Sequence, residues 1–185
     1  MRIVGGRNRG RRLIAPVGAA TRPTSDRIRE AIFNILIHGT GLELDGAQVL
    51  DLFAGTGALG FEALSRGAAS VCFIDNASAE LDLIRANAEA LVEKDAIVVR
   101  ADIWKLGPPP VGAASFGLAF LDPPYGGGLV KAALEALAGP GWLADGAILV
   151  IETGRGENIE PSGAYEMVEE RLFGSTKISF VRYRP

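Results

Sequence analysis

The tetrapeptide Asp122-Pro123-Pro124-Tyr125 brings together residue types suited to one kind of chemistry. It follows the apolar run from Phe116 to Leu121, which reads as a buried strand. Two prolines cannot extend a ladder, so the chain must leave the sheet there in a rigid turn. That turn sets a carboxylate, freed backbone carbonyls and an aromatic face at the C-terminal edge of a sheet, where open α/β folds bind ligands. Acceptors beside a stacking ring suit a planar base carrying an exocyclic NH2 group. The plainer reading is a Pro-Pro loop with a surface tyrosine, and the turn alone leaves it open.

A second constellation lies upstream. In Asp51-Leu52-Phe53-Ala54-Gly55-Thr56-Gly57-Ala58-Leu59-Gly60, glycines 55, 57 and 60 satisfy G-x-G-x-x-G, and Asp75 follows about twenty residues later. Dinucleotide sites share this pattern, so the glycines do not by themselves identify an adenosine ligand. Asp51 separates the cases. A pyrophosphate at the helix N-terminus wants a positive site, and a carboxylate there opposes it. S-adenosyl-L-methionine carries a sulfonium, an ammonium and adenosine but no phosphate, and an acid stabilises it. Asp75, at the end of the second strand, is placed to accept both ribose hydroxyls through charge-assisted bonds worth ~1.5–3 kcal/mol each. Asp102, just past the third strand, is placed to accept from the adenine amino group, with Ile103 against the ring. The candidate cofactor contacts are therefore Asp51, Phe53, Gly55, Thr56, Gly57, Asp75, Asn76, Asp102 and Ile103. Helix capping by Asp75 and Asp102 is the structural alternative.

These residues need a scaffold, and strands alternate with helices to provide one. Strands are expected at Gln48 to Phe53, Ser70 to Ile74, Ala96 to Arg100, Phe116 to Leu121 and Ala147 to Ile151. Helices are expected at Ala58 to Ser65, from a cap at Ser78 through Leu91, and at Leu129 to Leu137. Such alternation implies an α/β fold, a mostly parallel sheet with helices on both faces, and right-handed crossovers. Tyr165 to Arg171 and Lys177 to Tyr183 flank Gly174-Ser175 like an antiparallel pair. At the N-terminus, Arg2-Ile3-Val4 and Arg12-Leu13-Ile14 read as a short hairpin. A helix then starts near Ser25 or Asp26, with Ile28, Ala31, Ile32, Ile35 and Leu36 on its apolar face and Arg27 and Arg29 off it, where they can reach solvent or substrate.

At 185 residues, 48% hydrophobic and 22% charged, the chain has the composition of one globular domain with a small appendage. No apolar stretch approaches the roughly 18 residues of a membrane span, and no signal-peptide core is evident. The single cysteine, Cys72, rules out an internal disulfide and reads as a core thiol. His38 lies near a helix end, and no metal cluster or Ser-His-Asp set is visible. A reduced, cytoplasmic protein is expected. The net charge of −3 hides an asymmetry. Residues 1–30 hold eight arginines against Asp26 and Glu30, and the remainder holds eleven basic and twenty acidic residues. A basic arm on an acidic body is the footprint of a polyanion binder, and arginine favours bidentate phosphate contacts and stacking on bases. Arg7, Arg9, Arg11, Arg12, Arg22, Thr24 and Arg27 are the candidate contacts.

With these residues assembled, the chain resembles the class I methyltransferases that modify exocyclic amino groups. More narrowly, it resembles the RsmD family of bacterial 16S rRNA guanine-N2 methyltransferases. The matches are Met1-Arg2-Ile3-Val4-Gly5-Gly6 with Arg9-Gly10-Arg11, Arg22-Pro23-Thr24 with Asp26-Arg27, the segment from Asp51 to Gly60 with Glu62 to Ala68, Asp122 to Tyr125, and Gly141-Trp142-Leu143. They run almost the whole length, and the Arg-Pro-Thr segment is the family-specific part. The resemblance implies a Rossmann-like sheet, mostly parallel with a C-terminal antiparallel hairpin. It places a basic RNA-binding extension at residues 1–39 and a methyltransferase domain at 40–185. It implies methyl transfer from S-adenosyl-L-methionine to N2 of a guanine in 16S rRNA, guanine 966 in the family, within the 30S subunit or an assembly intermediate, with no obligatory oligomer. Asp122, Pro123, Pro124 and Tyr125 would carry the chemistry. Ala77 departs from a second acid common in the family, and residues 154–164 have no assignable feature. Three rivals stay open at this point. They are an amino methyltransferase acting on adenine N6 or a protein amide, a dinucleotide oxidoreductase, and a catalytically silent RNA-binding module.

Overall fold

The computed structural model describes residues 1–15, 25–110, 115–124, 126–160 and 163–185. Strand β1 (Gln48–Leu52) pairs in parallel with β2 (Ser70–Asp75) on one side and β4 (Phe116–Leu121) on the other. β2 continues to β3 (Ala96–Arg100), and β4 to β5 (Leu143–Gly154). The last two strands, β6 (Tyr165–Phe173) and β7 (Thr176–Tyr183), are antiparallel, and β7 pairs with β5. The order is β3-β2-β1-β4-β5-β7-β6. It reverses between β1 and β4, and such a switch point opens a crevice at the C-terminal strand ends.

Alternation along the strands sorts side chains onto two faces. Val49, Leu118, Phe120, Ile148, Val150 and Phe180 share one cluster with residues of α1 (Asp26–Gly39), α2 (Ala58–Ser65) and α3 (Ser78–Leu91). Leu50, Leu52, Ala119, Leu121, Leu149 and Ile151 share the other with α4 (Leu129–Leu137). Near-continuous apolar strands are the consequence of burial on both sides. Cys72 is fully buried, and its pKa is pushed up to about 12 by desolvation.

The N-terminal residues form a minimal hairpin. Arg2 bridges Arg12, Ile3 N donates to Arg11 O at 2.9 Å, and Gly10 N donates to Ile3 O at 2.9 Å. Ile3, Leu13, Ile32, Phe33 and Leu36 belong to the same cluster as the sheet face that α1 covers.

Four local expectations are corrected. Arg29 does not reach solvent: it is fully buried, and its Nη2 donates to Arg2 O at 2.6 Å and Asp26 Oδ1 at 2.7 Å. The buried face of α1 is Arg29, Ile32, Phe33 and Leu36, rotated from the apolar stripe because a long arginine, its Nη2 held by two oxygens, fills a core position. Of the two caps expected for α1, Ser25 is the one found, and its hydroxyl accepts from Ile28 N at 3.3 Å. Helix α3 has Ala77, not Ser78, as its N-cap. Strand β5 is longer than its apolar stretch, because the pairings Glu152–Ile178, Thr153–Lys177 and Gly154–Thr176 carry it past Ile151. Pairing by a distant strand, rather than hydrophobicity, sets that end.

Candidate functional site

Asp51 sits one residue before the end of β1, on the face that meets α2. Its Oδ2 accepts from Gly60 N at 2.9 Å, and only 2% of the residue is exposed. Burial drives this carboxyl well above the usual range. The Gly60 bond opposes that rise, and the neighbouring charges of Asp122 and Asp75 add to it. The chain after β1 turns sharply, with Phe53, Gly55 and Gly57 all in the left-handed region at φ 63, 53 and 76°. Phe53 is not glycine, so its conformation costs roughly 1–3 kcal/mol, a strain typical of functional turns. Gly60 serves close approach instead. A Cβ there would lie 2.3 Å from the Phe73 ring, so only glycine lets α2 settle on β2.

Asp75 closes the loop from the side. Its Oδ2 accepts from Gly55 N at 3.0 Å and its Oδ1 from Ala77 N at 2.9 Å. The carboxylate therefore positions the glycine turn, and each oxygen keeps a lone pair for a further donor. Asn76 is exposed, and its carbonyl accepts from Arg100 Nε at 3.1 Å. Asp102 is exposed and caps a single 3-10 turn, Ile103–Lys105, by accepting from Trp104 N at 3.1 Å. Ile103 is buried among Leu50, Leu52, Cys72 and Ile74. Thr56 is half-buried and Phe53 likewise.

The Asp-Pro-Pro turn leaves β4 beside β1, level with the glycine loop, because Leu52 and Leu121 are register partners. Asp122 is half-buried, Pro123 buried and Pro124 exposed; Tyr125 lies outside the described residues. The field of Asp122 at Asp51 places the two carboxylates in one electrostatic neighbourhood. A cleft of about 600 Å3 borders Pro123, Pro124, Leu134, Glu152, Thr153 and Tyr165. It includes none of Asp51, Gly55, Asp75 or Asp102, so it opens on the α4 side of the turn, away from the acid row.

A family model described as Conserved hypothetical protein 95 matches residues 1–182. Ribosomal RNA small subunit methyltransferase D of Escherichia coli is 38% identical over 157 residues, covering 83% of this chain and 74% of that protein. The chain belongs to the RsmD family. YlbH of Bacillus subtilis is 35% identical over 187 residues, which span all of both proteins. The solved structure of yhhF from Escherichia coli superposes with a TM-score of 0.84 at 33% identity, covering 100% of this chain and 98% of the other.

In this RsmD-family chain the basic hairpin is riveted to the body. Arg7 Nη2 meets Glu93 Oε2 at 2.5 Å, and Asn8 Nδ2 donates to Glu93 Oε1 at 2.6 Å. The bond to Glu93 raises the Arg7 pKa. Arg11 donates to the Ala90 carbonyl. Val4 N donates to Glu62 Oε2 at 2.8 Å, and Glu62 is fully buried with Arg66 Nε at 2.7 Å. Arg9, Arg12 and Arg27 are exposed, while Arg22 and Thr24 lie outside the described residues. Among the described residues no group of acids, His and Cys is arranged to hold a metal ion, and no helix is long and apolar enough to cross a membrane.

The sequence reading missed Asn87. Its Oδ1 accepts from Ile14 N at 2.7 Å, and its Nδ2 donates to Ile14 O at 3.1 Å and Thr56 O at 3.2 Å. One buried amide thus joins the hairpin to the glycine loop of the RsmD-family site. A signal existed: Asn87 stands on the apolar face of α3, between Ile84 and Leu91, where an unpaired amide would be costly. Glu62, in an otherwise apolar α2, carries the same signal.

Proposed function

We propose that this chain transfers a methyl group from S-adenosylmethionine to the N2 amino group of a guanine in 16S rRNA. The observation that carries the reading is the placement of Asp122 at the switch point, beside the acid-lined glycine loop of β1. Asp51, Asp75 and Asp102 along that edge disfavour a pyrophosphate and fit a ligand with a sulfonium and an ammonium group. When bound, the cofactor supplies an electrophilic methyl group. Asp75 faces the ribose, Asp102 and Ile103 face the adenine, and Phe53, Gly55, Thr56, Gly57 and Asn76 shape the remaining wall.

Guanine N2 is a weak nucleophile because its lone pair is delocalised into the ring. Asp122 and a carbonyl of Pro123 or Pro124 accept its two N–H bonds, which lets the nitrogen pyramidalise and aim the lone pair at the methyl. Tyr125 stacks on the base. Rigid positioning of this kind supplies ~7–11 kcal/mol of barrier reduction. The base must leave its stack, so a flipped or looped nucleotide is required. Residues 1–39 form the RNA-binding extension, with Arg9, Arg12 and Arg27 on phosphates while Arg7 and Arg11 brace the hairpin. The small subunit or an assembly intermediate in the cytoplasm is the substrate, and one copy of the chain suffices.

The test is methyl transfer from labelled S-adenosylmethionine to unmodified 30S subunits, naked 16S rRNA and DNA, with the product nucleoside identified by mass spectrometry. N2-methylguanosine from 16S rRNA is expected. Methyladenine, or no transfer while the cofactor still binds, would remove the acceptor assignment.

A further inference from the structure

The N-terminal hairpin grips the glycine loop at one residue, Thr56, from both of its own ends. Thr56 O accepts from Asn87 Nδ2 at 3.2 Å. The same amide donates to Ile14 O at 3.1 Å, and its Oδ1 accepts from Ile14 N at 2.7 Å. The Thr56 hydroxyl donates to Met1 Sδ at 3.7 Å, and Met1 O accepts from Leu13 N at 3.2 Å. Asn87 is 1% exposed, and both of its N–H groups and its oxygen are committed to these contacts. The middle of the hairpin holds the far end of α2. Val4 N donates to Glu62 Oε2 at 2.8 Å, Ser65 Oγ donates to Gly5 O at 2.6 Å, and Arg7 N donates to Ser65 O at 2.7 Å. Helix α2 is therefore held by the hairpin at its C-terminal turn and, through Thr56, just ahead of its N-cap Gly57. Within itself the hairpin is slight. Its strands share one isolated bridge, Arg2 to Arg12, among the described residues. A lone hairpin of this kind is marginal in water, so its seat on α2, Asn87 and Thr56 sets its position.

We propose that the hairpin couples RNA binding to cofactor binding, with Asn87 as the positioning residue that carries the coupling. The coupling rests on the rRNA-methyltransfer reading above, in which Arg9 and Arg12 hold phosphates and the loop from Phe53 to Gly57 receives S-adenosylmethionine, and it adds a regulation of that site. Arg12 is the bridging residue of the hairpin and stands two positions before Ile14. RNA held at Arg9 and Arg12 keeps the hairpin seated. A seated hairpin fixes Thr56 O through Asn87 and holds α2, whose Gly60 N donates to Asp51 at 2.9 Å. The glycine loop then has its working shape before the cofactor arrives, and less ordering is left to oppose binding. Linkage makes the effect reciprocal: the cofactor tightens RNA binding by the same factor. A merely structural Asn87 would satisfy buried backbone groups and do no more. Its loss would weaken cofactor binding equally with and without RNA, whereas loss of a coupling residue changes the ratio of the two affinities.

The experiment uses the full chain, unmodified 30S subunits and labelled S-adenosylhomocysteine, the demethylated product, which permits no turnover. Equilibrium dialysis gives its Kd with and without saturating 30S subunits, and co-sedimentation gives the affinity for the subunits themselves. For wild type, 30S subunits should tighten S-adenosylhomocysteine binding by about 5-fold or more. Asn87→Ala removes the link and keeps Arg9 and Arg12, so the two Kd values should come together. Asn87→Asp keeps the size of the side chain and the acceptor for Ile14 N but loses the donor to Thr56 O, and the same convergence is expected. Equal Kd values in wild type would overturn the coupling, whether or not either variant folds. A wild-type ratio preserved in a folded variant would overturn the role of Asn87. N2-methylguanosine formed in 16S rRNA alongside either negative result leaves the parent reading standing, whereas a wild-type chain that neither co-sediments with 30S subunits nor methylates them overturns both.

Discussion

At the scale of single residues, two carboxylates do different work. In the proposed reaction Asp122 sits at the reacting edge, so Asp122→Ala should cut transfer by about 10^2-fold or more while cofactor affinity, read by calorimetry, changes little. Retention of most of the activity would move the acceptor role to the proline carbonyls. Asp51 is a supporting acid held in a dry place. Its folded pKa is raised, chiefly by burial, so its favourable contribution to stability is complete below about pH 4 and is lost as pH rises through the folded value. Asp51→Asn keeps an oxygen for Gly60 N and removes the buried charge. The melting temperature of the variant should therefore gain on wild type as pH climbs from about 4 to 8, while its cofactor affinity falls. A pH-independent difference would show that Asp51 is already compensated in the free protein.

At the scale of elements, the site is made by the way strands end. β1 ends in a left-handed phenylalanine and two left-handed glycines, and β4 ends in two prolines. α2 lies close on β2 through Gly60, whose missing side chain admits the Phe73 ring. Gly60→Ala should destabilise the fold by about 1–3 kcal/mol through overpacking. It should also loosen the bond from Gly60 N to Asp51, so cofactor affinity drops with stability. Denaturant melts and a binding isotherm measure the two together, and an unperturbed variant would mean that α2 shifts freely. The Gly-rich loop and the proline turn were legible because glycine and proline announce backbone geometry locally. Asn87 was not, since its partners Ile14 and Thr56 are brought to it by two separate chain segments.

At the scale of the molecule, the charge asymmetry becomes a division of labour. Arg2, Arg7, Arg11 and Arg29 make contacts within the protein, whereas Arg9, Arg12 and Arg27 are exposed and are the phosphate contacts proposed above. Replacing those three by alanine should flatten the slope of log K against log salt for RNA binding by about 2, at about 0.7 per phosphate contact. Point substitutions test the arm better than its deletion, because Ile3 and Leu13 belong to the core and would leave with it. An unchanged slope would return these arginines to a solvated surface.

The sequence alone determined the α/β alternation, the bounds of α2, β3, β4 and α4, the antiparallel last pair, the proline turn and the acids after each strand. All of these follow from periods and turn residues that act over a few positions. Only the tertiary structure decided that Arg29 is core, that β5 runs on to Gly154, and that Asn87 joins the hairpin to the glycine loop. Those outcomes depend on register between strands far apart in the chain, and register is fixed by the whole sheet closing at once rather than by any local run of residues.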